Sequence, residues 1–131
     1  MHDLSPPLRG TRVLLADDDT MTHLYVSHVL TDAGMDLEWV KNGEGVLEAL
    51  DQKSFDCILM DIQMPIMDGV EATRKIRSST TAYRNIPIIA LTAYAMTGDR
   101  EKFLEAGMDD YIAKPVEKED LLNILKRNLG I

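Results

Sequence analysis

The chain has 131 residues, of which 45% are hydrophobic and 27% are charged, and this balance predicts one folded domain rather than a disordered segment. Fourteen basic and 22 acidic residues give a formal net charge of −8, which disfavours direct binding to nucleic acid and to anionic membranes. A single cysteine excludes an internal disulfide, and without a long apolar run or a basic leader we expect a cytoplasmic protein that does not insert into membranes.

Short apolar runs alternate with helical patterns after residues 1–11, which we interpret as a tail or linker outside the core. The predicted strands are residues 13–16, 37–40, 57–60, 86–91 and 111–113. The first helix is expected to turn Met21, Tyr25, Val29 and Ala33 inward and to end at Gly34. The other helices are predicted at residues 45–50, 70–77 and 98–106, with a last helix carrying apolar residues from 116 to 129.

Five apolar strands alternating with five helices predict an α/β fold built from repeated βαβ units. Such units form a parallel sheet with helices on both faces, which is a three-layer sandwich. In sheets of this kind the ligand site lies at the carboxyl ends of the strands. The residues that follow each apolar run are therefore the candidates for function.

Acidic, hydroxyl and basic side chains follow four of the predicted strands, namely Asp17, Asp18, Asp19, Asp61, Thr92 and Lys114. If Asp17, Asp18 and Asp61 converge, their mutual repulsion requires a cation or protons. Oxygen ligands without His or Cys select Mg²⁺ over zinc or copper. A carboxylate beside Mg²⁺, an ammonium and a hydroxyl suits phosphoryl transfer, with Asp61 as the nucleophile and with Thr92 and Lys114 binding the phosphoryl oxygens.

Four separated motifs occur in a specific order, VLLADDD at 13–19, ILMDIQMPIMDG at 58–69, ALTA at 90–93 and GMDDYIAKP at 107–115. Together they resemble the receiver domain of two-component response regulators. The residues of the third and last motifs are most similar to those of receivers of hybrid histidine kinases. The resemblance covers nearly all of the predicted domain, residues 12–131. It implies a flavodoxin-like (βα)5 fold with strand order 2-1-3-4-5.

The resemblance also implies the chemistry of the site. Asp61 would be the phosphoacceptor, receiving the group from a phosphohistidine on a histidine kinase or a histidine phosphotransfer domain. Asp18 and Asp61 would bind Mg²⁺ directly, Asp17 mainly through water and Gln63 through its backbone carbonyl, and Mn²⁺ is expected to substitute for Mg²⁺. Such a protein is a phosphorylation-dependent switch that catalyses only its own phosphorylation and dephosphorylation.

The same resemblance implies how the switch operates. Thr92 and Tyr111 would be the switch pair, altering the surface formed by the fourth helix, the fifth strand and the fifth helix. Lys114 and Pro115 are expected to join through a cis peptide bond. Tyr94 is expected to shield the acyl phosphate from water, and a phosphorylation-dependent homodimer is left open. So is the choice between a stand-alone receiver, a relay shuttle and a part of a hybrid kinase.

Two alternative functions also fit parts of this pattern. In a haloacid dehalogenase-like Mg²⁺-dependent phosphatase, Asp17 would be the nucleophile, Asp19 the acid and base, Thr92 the phosphate ligand, and residues 109–110 the metal ligands. This reading leaves Asp61 unexplained, and Lys114 follows the acidic pair instead of preceding it. A degenerate receiver that acts only by binding is disfavoured because all acceptor, metal and switch positions are filled.

Several other residues are predicted to have structural roles rather than roles in the site. Asp19 is expected to cap the first helix, and Asp68 with Gly69 to form a turn and a helix start. Residues 109–110 are read as a solvated turn. Cys57 is read as a core thiol, and Trp39 as a residue of the second strand that lies away from the acceptor.

Overall fold

The computed structural model of the chain describes residues 8–93 and 99–130. Within these ranges five strands alternate with five helices. The strands are β1 (Arg12–Ala16), β2 (Asp36–Val40), β3 (Cys57–Asp61), β4 (Ile88–Thr92) and β5 (Asp110–Ala113). The helices are α1 (Thr20–Asp32), α2 (Gly43–Gln52), α3 (Gly69–Ser78), α4 (Asp99–Ala106) and α5 (Lys118–Leu129). None of the helices in the described part of the chain is long and apolar enough to cross a bilayer.

The strands form one parallel sheet in the order β2-β1-β3-β4-β5, so the predicted α/β class and strand order are confirmed. The burial of the strands agrees with this strand order. Every residue of the inner strands β3 and β4 is buried, whereas the outermost strands β2 and β5 are only partly buried. Because all five strands run in the same direction, the segments that follow β1, β3, β4 and β5 emerge at the side of the sheet where the carboxyl ends of the strands lie, its carboxyl edge.

A separate hydrophobic core covers each face of the sheet. The first core joins α1 and α5 to the sheet through side chains such as Val26, Leu30 and Leu121. The second core joins α2, α3 and α4 through side chains such as Val46, Ile76 and Phe103. The three-layer arrangement is therefore held from both sides, and the strand ends are fixed in position relative to one another.

The inward face predicted for α1 is wrong at Met21 and Tyr25, whereas Val29 is buried and Ala33 packs against the core. Met21 is 70% exposed and Tyr25 is also exposed, whereas the buried residues of the helix are Val26, Val29 and Leu30. Positions four apart advance by about 400° around a helix and so drift by about 40° at each step. In a series of residues four apart that includes the buried Val29, Met21 is therefore rotated by about 80° and no longer lies on the buried face.

The predicted tail is wrong where it includes Leu8. This side chain is fully buried in the core beneath α1 and α5. Next to it, the backbone N–H of Gly10 donates to the carbonyl of Gly34, and the N–H of Asp36 donates to the carbonyl of Thr11. The domain therefore includes residues 8–11. One apolar residue between prolines and a glycine carries no periodic pattern, so its burial could not be predicted from the sequence.

Most other boundaries differ from the predictions by one or two residues, which is the usual uncertainty of helix and strand ends. The strand predicted at residues 86–91 begins only at Ile88, and Val116 precedes α5. Gly98, which was predicted to start the fourth helix, lies outside the described residues.

Candidate functional site

Three carboxylates meet at the carboxyl edge of the sheet. Asp17 and Asp18 follow β1 directly, and Asp61 is the last residue of the neighbouring strand β3. One carboxylate oxygen from each lies within 4.8 Å of the others. Asp17 is fully buried, Asp61 is buried and Asp18 is exposed to solvent. The fold thus brings together three acids that are separated by up to 44 positions in the chain.

Lys114 supplies the positive charge of this cluster. Its ammonium nitrogen lies 2.8 Å from Asp17 Oδ2 and 3.5 Å from Asp61 Oδ2. Its backbone N–H donates to the carbonyl of Thr92, which keeps the end of β5 beside the end of β4. The peptide bond between Lys114 and Pro115 is cis, as predicted. One ammonium leaves the three carboxylates with an excess of negative charge, which a divalent cation would balance.

The electrostatics of Asp61 reflect this excess charge. Burial, followed by the nearby charge of Asp17, raises the pKa of Asp61 from 3.8 to about 6, although Lys114 acts in the opposite direction. Burial alone would lower the pKa of Lys114, but its ion pairs with Asp17 and Asp61 outweigh burial and raise that pKa. An additional cation at this site would favour the ionised form of Asp61.

The donor set fits Mg²⁺. All three side chains offer hard oxygen ligands, and no His or Cys belongs to this acidic cluster. The cluster opens into a cavity of about 540 Å³, which gives room for coordinated water and for a phosphoryl group. Asp18, Asp61, Gln63, Thr92 and Lys114 are among the residues that line this cavity.

The loop after β3 holds the Asp61 backbone in place. A side chain at Gly69 would collide with the carbonyl oxygen of Asp61, so the start of α3 can approach this strand end only as glycine. The N–H of Gly69 donates to the carbonyl of Ile62, and Asp68 caps α3 by accepting from the N–H of Glu71, which confirms the predicted turn and helix start. The N–H of Gln63 lies 3.4 Å from Asp61 Oδ1.

Thr92 and Tyr111 lie on neighbouring strands. Thr92 ends β4, is buried and lines the cavity. Tyr111 pairs with Ala90, two residues before Thr92, so the two side chains project from the same face of the sheet. The ring of Tyr111 packs beside Phe103 of α4, with 6.4 Å between ring centroids and a tilt of 54°. Their predicted role as a switch pair remains a prediction.

The structure separates the other acidic candidates from this site. Asp19 caps α1 by accepting from the N–H of Met21, as predicted. The solvated turn predicted for Asp109 and Asp110 is wrong for Asp110, which begins β5 and accepts from Arg127 and Asn128. Asp109 is exposed in the segment before β5, as predicted, but its side chain also accepts from the N–H of Ile88 and from Arg77. Both therefore lie at the amino ends of β4 and β5, opposite the edge that carries Asp17.

Cys57 is a core thiol, as predicted. It is fully buried at the start of β3, and burial raises its pKa to about 12. A thiol with such a pKa is protonated at neutral pH and is a poor nucleophile.

Trp39 is the site residue that the sequence interpretation missed. It lies in β2 as predicted, but its indole N–H donates to the carbonyl of Asp17 at 2.7 Å. The available signal was the strand order. It places β2 beside β1, and Trp39 is paired with Leu15 near the end that leads to Asp17. Tyr94, the expected shield of the acyl phosphate, lies outside the described residues.

Comparisons with known proteins agree with this geometry. Residues 13–126 match the response regulator receiver domain family. The sensor protein GacS of Pseudomonas syringae pv. syringae is 41% identical over 98% of this chain, and the histidine-protein kinase BarA of Shigella flexneri is 44% identical over 88%. This chain spans only 15% of that GacS and 12% of that BarA.

A solved structure shows the same fold. The receiver domain of the sensor histidine kinase PA1611 from Pseudomonas aeruginosa PAO1 superposes with a TM-score of 0.85 and is 39% identical. The match covers 93% of this chain and 99% of that one, and that crystal structure has a magnesium ion coordinated in its active-site cleft. The family match, the strand order and the cluster of three carboxylates agree, and the chain belongs to the response regulator receiver domain family.

Proposed function

We propose that this receiver accepts a phosphoryl group from a phosphohistidine onto Asp61, with Mg²⁺ bound beside it, as a step of a phosphorelay. The observation that carries the proposal is the placement of Asp61. It ends a central strand within reach of two further carboxylates and of an ammonium group, at the mouth of an open cavity. The kinase name of BarA supports a histidine kinase or a histidine phosphotransfer domain as the partner.

In the proposed transfer an oxygen of the Asp61 carboxylate attacks phosphorus. The P–N bond to the donor histidine breaks, its electron pair stays on the imidazole nitrogen, and an acyl phosphate forms on Asp61. Lys114 would bind a phosphoryl oxygen as a point charge and the Thr92 hydroxyl would donate to another, and their position in the lining of the cavity supports these roles. When bound, Mg²⁺ neutralises negative charge on the carboxylates and on the phosphoryl group.

The residues proposed to hold the metal are Asp18 and Asp61 directly, Asp17 through water and Gln63 through its carbonyl. The contacts of Asp17 support its indirect role, because Oδ1 already accepts from the N–H of Asp19 at 2.8 Å and Oδ2 pairs with Lys114. Asp18 is exposed and can meet a hydrated ion. Mn²⁺, which also favours oxygen ligands, is proposed to substitute for Mg²⁺.

The proposed output is a change at the surface formed by α4, β5 and α5. Thr92 and Tyr111 lie on the same face of the sheet, and the ring of Tyr111 packs beside Phe103 of α4. A movement of Thr92 toward the phosphoryl group would therefore be transmitted to this surface through side chains in contact.

We further propose a cytoplasmic switch without turnover of other substrates. The net charge of −8 disfavours nucleic acid as a direct ligand. A phosphorylation-dependent homodimer through α4 and α5 is a further form that this output could take.

The phosphatase alternative is not supported. The family match is to receivers, and Asp109 and Asp110 lie at the opposite edge of the sheet from Asp17, too far along the strands to share a metal with it. Asp17 is also fully buried and paired with Lys114, whereas Asp61 lines the open cavity.

The test is phosphorylation with acetyl phosphate and Mg²⁺, followed by intact-protein mass spectrometry. Wild type is expected to gain one phosphoryl group, Asp61→Asn none, and Asp120→Asn, an exposed control on α5, the wild-type amount. Circular dichroism checks that Asp61→Asn is folded. Wild-type labelling of Asp61→Asn would refute the proposal. Hydrolysis of a phosphomonoester that is lost in Asp17→Asn but kept in Asp61→Asn would favour the phosphatase.

A further inference from the structure

Strand β2 binds both backbone groups of Asp17. The N–H of Asp17 donates to the carbonyl of Val40 at 3.1 Å, and the carbonyl of Asp17 accepts from the indole N–H of Trp39 at 2.7 Å. The first bond continues the ladder between β1 and β2. The second comes from a side chain, at the point where the backbone ladder ends.

The carbonyl of Asp17 needs this partner. The residue is fully buried, and a buried carbonyl without a hydrogen bond is costly. This carbonyl also belongs to the peptide group that joins Asp17 to Asp18. Its direction therefore fixes the orientation of the backbone that carries both carboxylate side chains. The Asp17 side chain is fixed in turn by Lys114 and by the N–H of Asp19.

The indole ring is itself held in place. The imidazole of His23, in the first turn of α1, stacks on it with 3.8 Å between ring centroids and an interplanar angle of 6°. The ammonium of Lys41 lies 5.0 Å from the ring centroid. The backbone N–H of His23 donates to the carbonyl of Asp19, so the stack and the acidic segment belong to one connected unit. A donor held in this way has little rotational freedom to lose when it bonds.

We infer that Trp39 is a positioning residue of the acidic site, whose indole N–H orients the peptide between Asp17 and Asp18 and thereby strengthens the binding of Mg²⁺. The inference rests on the proposed function, because it assumes that these carboxylates bind the metal. Trp39 touches neither the metal nor the phosphoryl group in this account. Its effect passes through the backbone of Asp17.

The first test is a titration with MgCl₂ followed by NMR of backbone amides, on wild type, Trp39→Phe and Leu37→Ala. Phenylalanine keeps an aromatic ring but removes the donor, and we expect Mg²⁺ affinity to fall about three- to tenfold. Leu37 is a partly buried core residue of the same strand, so Leu37→Ala loosens β2 without touching Asp17. It is expected to keep wild-type affinity.

The second test uses the fact that Trp39 is the only tryptophan in the chain. Biosynthetic replacement by benzothienylalanine keeps a bicyclic ring and removes the N–H, whereas 5-fluorotryptophan keeps the N–H. The first is expected to lower Mg²⁺ affinity as Trp39→Phe does, and the second to preserve it. The single ¹⁹F resonance of the fluorinated protein is expected to shift with the same midpoint as the Asp18 amide.

The outcomes separate the two proposals. If wild type binds no Mg²⁺ and is not labelled at Asp61, the proposed function fails. If wild type binds Mg²⁺ but the protein with benzothienylalanine binds it equally well, or Leu37→Ala is weakened as much as Trp39→Phe, the positioning role of Trp39 is overturned. A ¹⁹F resonance that stays fixed while the Asp18 amide titrates would also contradict it.

Discussion

The two buried carboxylates of the site are held very differently. Both oxygens of Asp17 are bound, one by the N–H of Asp19 at 2.8 Å and one by Lys114 at 2.8 Å. Asp61 has longer contacts, at 3.4 Å to the N–H of Gln63 and 3.5 Å to Lys114. Asp61 therefore carries a less stabilised negative charge, and it is the carboxylate that faces the cavity. This asymmetry supports the proposal that Asp17 has a supporting role and Asp61 the reactive one.

The charge on Asp61 is expected to destabilise the metal-free protein at neutral pH. Its pKa is about 6 in the folded state, against an ordinary value of 3.8, mainly because of burial. Between these values the folded state binds more protons than the unfolded state, so stability falls as pH rises through this window and the penalty is fully present above it. Asp61→Asn removes the penalty, and at pH 7.5 it should raise the free energy of unfolding by on the order of 2 kcal/mol.

Urea unfolding in EDTA at pH 7.5 and at pH 4 measures this effect. The advantage of Asp61→Asn is expected to shrink toward zero at the lower pH. Asp120→Asn, at an exposed position, should change stability by less than about 0.5 kcal/mol at either pH. An Asp61→Asn protein that is less stable than wild type at pH 7.5 would show that the buried charge is not a net cost.

Between elements, Arg77 joins the parts of the fold that surround β4. At the end of α3 its guanidinium donates to the carbonyls of Gly107, Arg84 and Ile86, and it pairs with Asp109 at 2.9 Å. It thus fixes the segment that enters β4 and the segment that leaves α4. The amino ends of β4 and β5 are anchored in this way, while their carboxyl ends carry Thr92 and Lys114.

Removing this anchor should be costly. Arg77→Ala leaves three carbonyls without this donor and removes the ion pair to Asp109, and we expect a loss of about 2–4 kcal/mol in the free energy of unfolding. Arg77→Lys should recover only part of it, because an ammonium cannot reproduce the planar set of donors. Arg74→Ala, an exposed arginine of the same helix, is the matched control and should cost less than about 0.5 kcal/mol. Equal losses for Arg77→Ala and Arg74→Ala in urea unfolding would show that the anchor is unimportant.

For the whole molecule, stability depends on two cores that share one sheet. The core under α1 and α5 extends beyond the regular elements, because it includes Leu8 before β1. The chain from Leu8 to Thr11 is tied to the segment between α1 and β2 through Gly34 and Asp36. The folded unit therefore includes the residues that lead into the first strand.

The burial of Leu8 gives a matched pair of leucine variants. Leu8 is fully buried, whereas Leu24 on α1 is 55% exposed. Leu8→Ala is expected to lower the free energy of unfolding by about 2–4 kcal/mol, because it leaves a cavity in the core. Leu24→Ala should change it by less than about 0.5 kcal/mol. Similar values for both variants in urea unfolding would contradict the inclusion of Leu8 in the core.

Much of the fold and of the site follows from patterns along the chain. Uniformly apolar strands alternating with helices dictate a parallel sheet, and a parallel sheet brings Asp17, Asp18, Asp61 and Lys114 to one edge. Contacts made by single side chains across the fold could not be predicted in this way. The burial of Leu8 and the bond from Trp39 to Asp17 belong to this class, since neither leaves a periodic signal.

The acidic residues show the same limit. Asp109 and Asp110 stand next to each other in a polar stretch, which is typical of a solvated turn. Their partners Arg77, Ile88, Arg127 and Asn128 are distant in sequence, so only the tertiary arrangement identifies both residues as structural acceptors.

The central claim is that Asp61 carries the phosphoryl group. An acyl phosphate is reduced by borohydride to an alcohol, which converts a phosphorylated aspartate into homoserine. After treatment with acetyl phosphate and Mg²⁺, reduction and proteolysis, peptide mass spectrometry is expected to find homoserine at position 61 and unchanged aspartate at positions 17 and 18. Homoserine at position 17 or 18, or phosphorylated protein without any homoserine at position 61, would contradict the account.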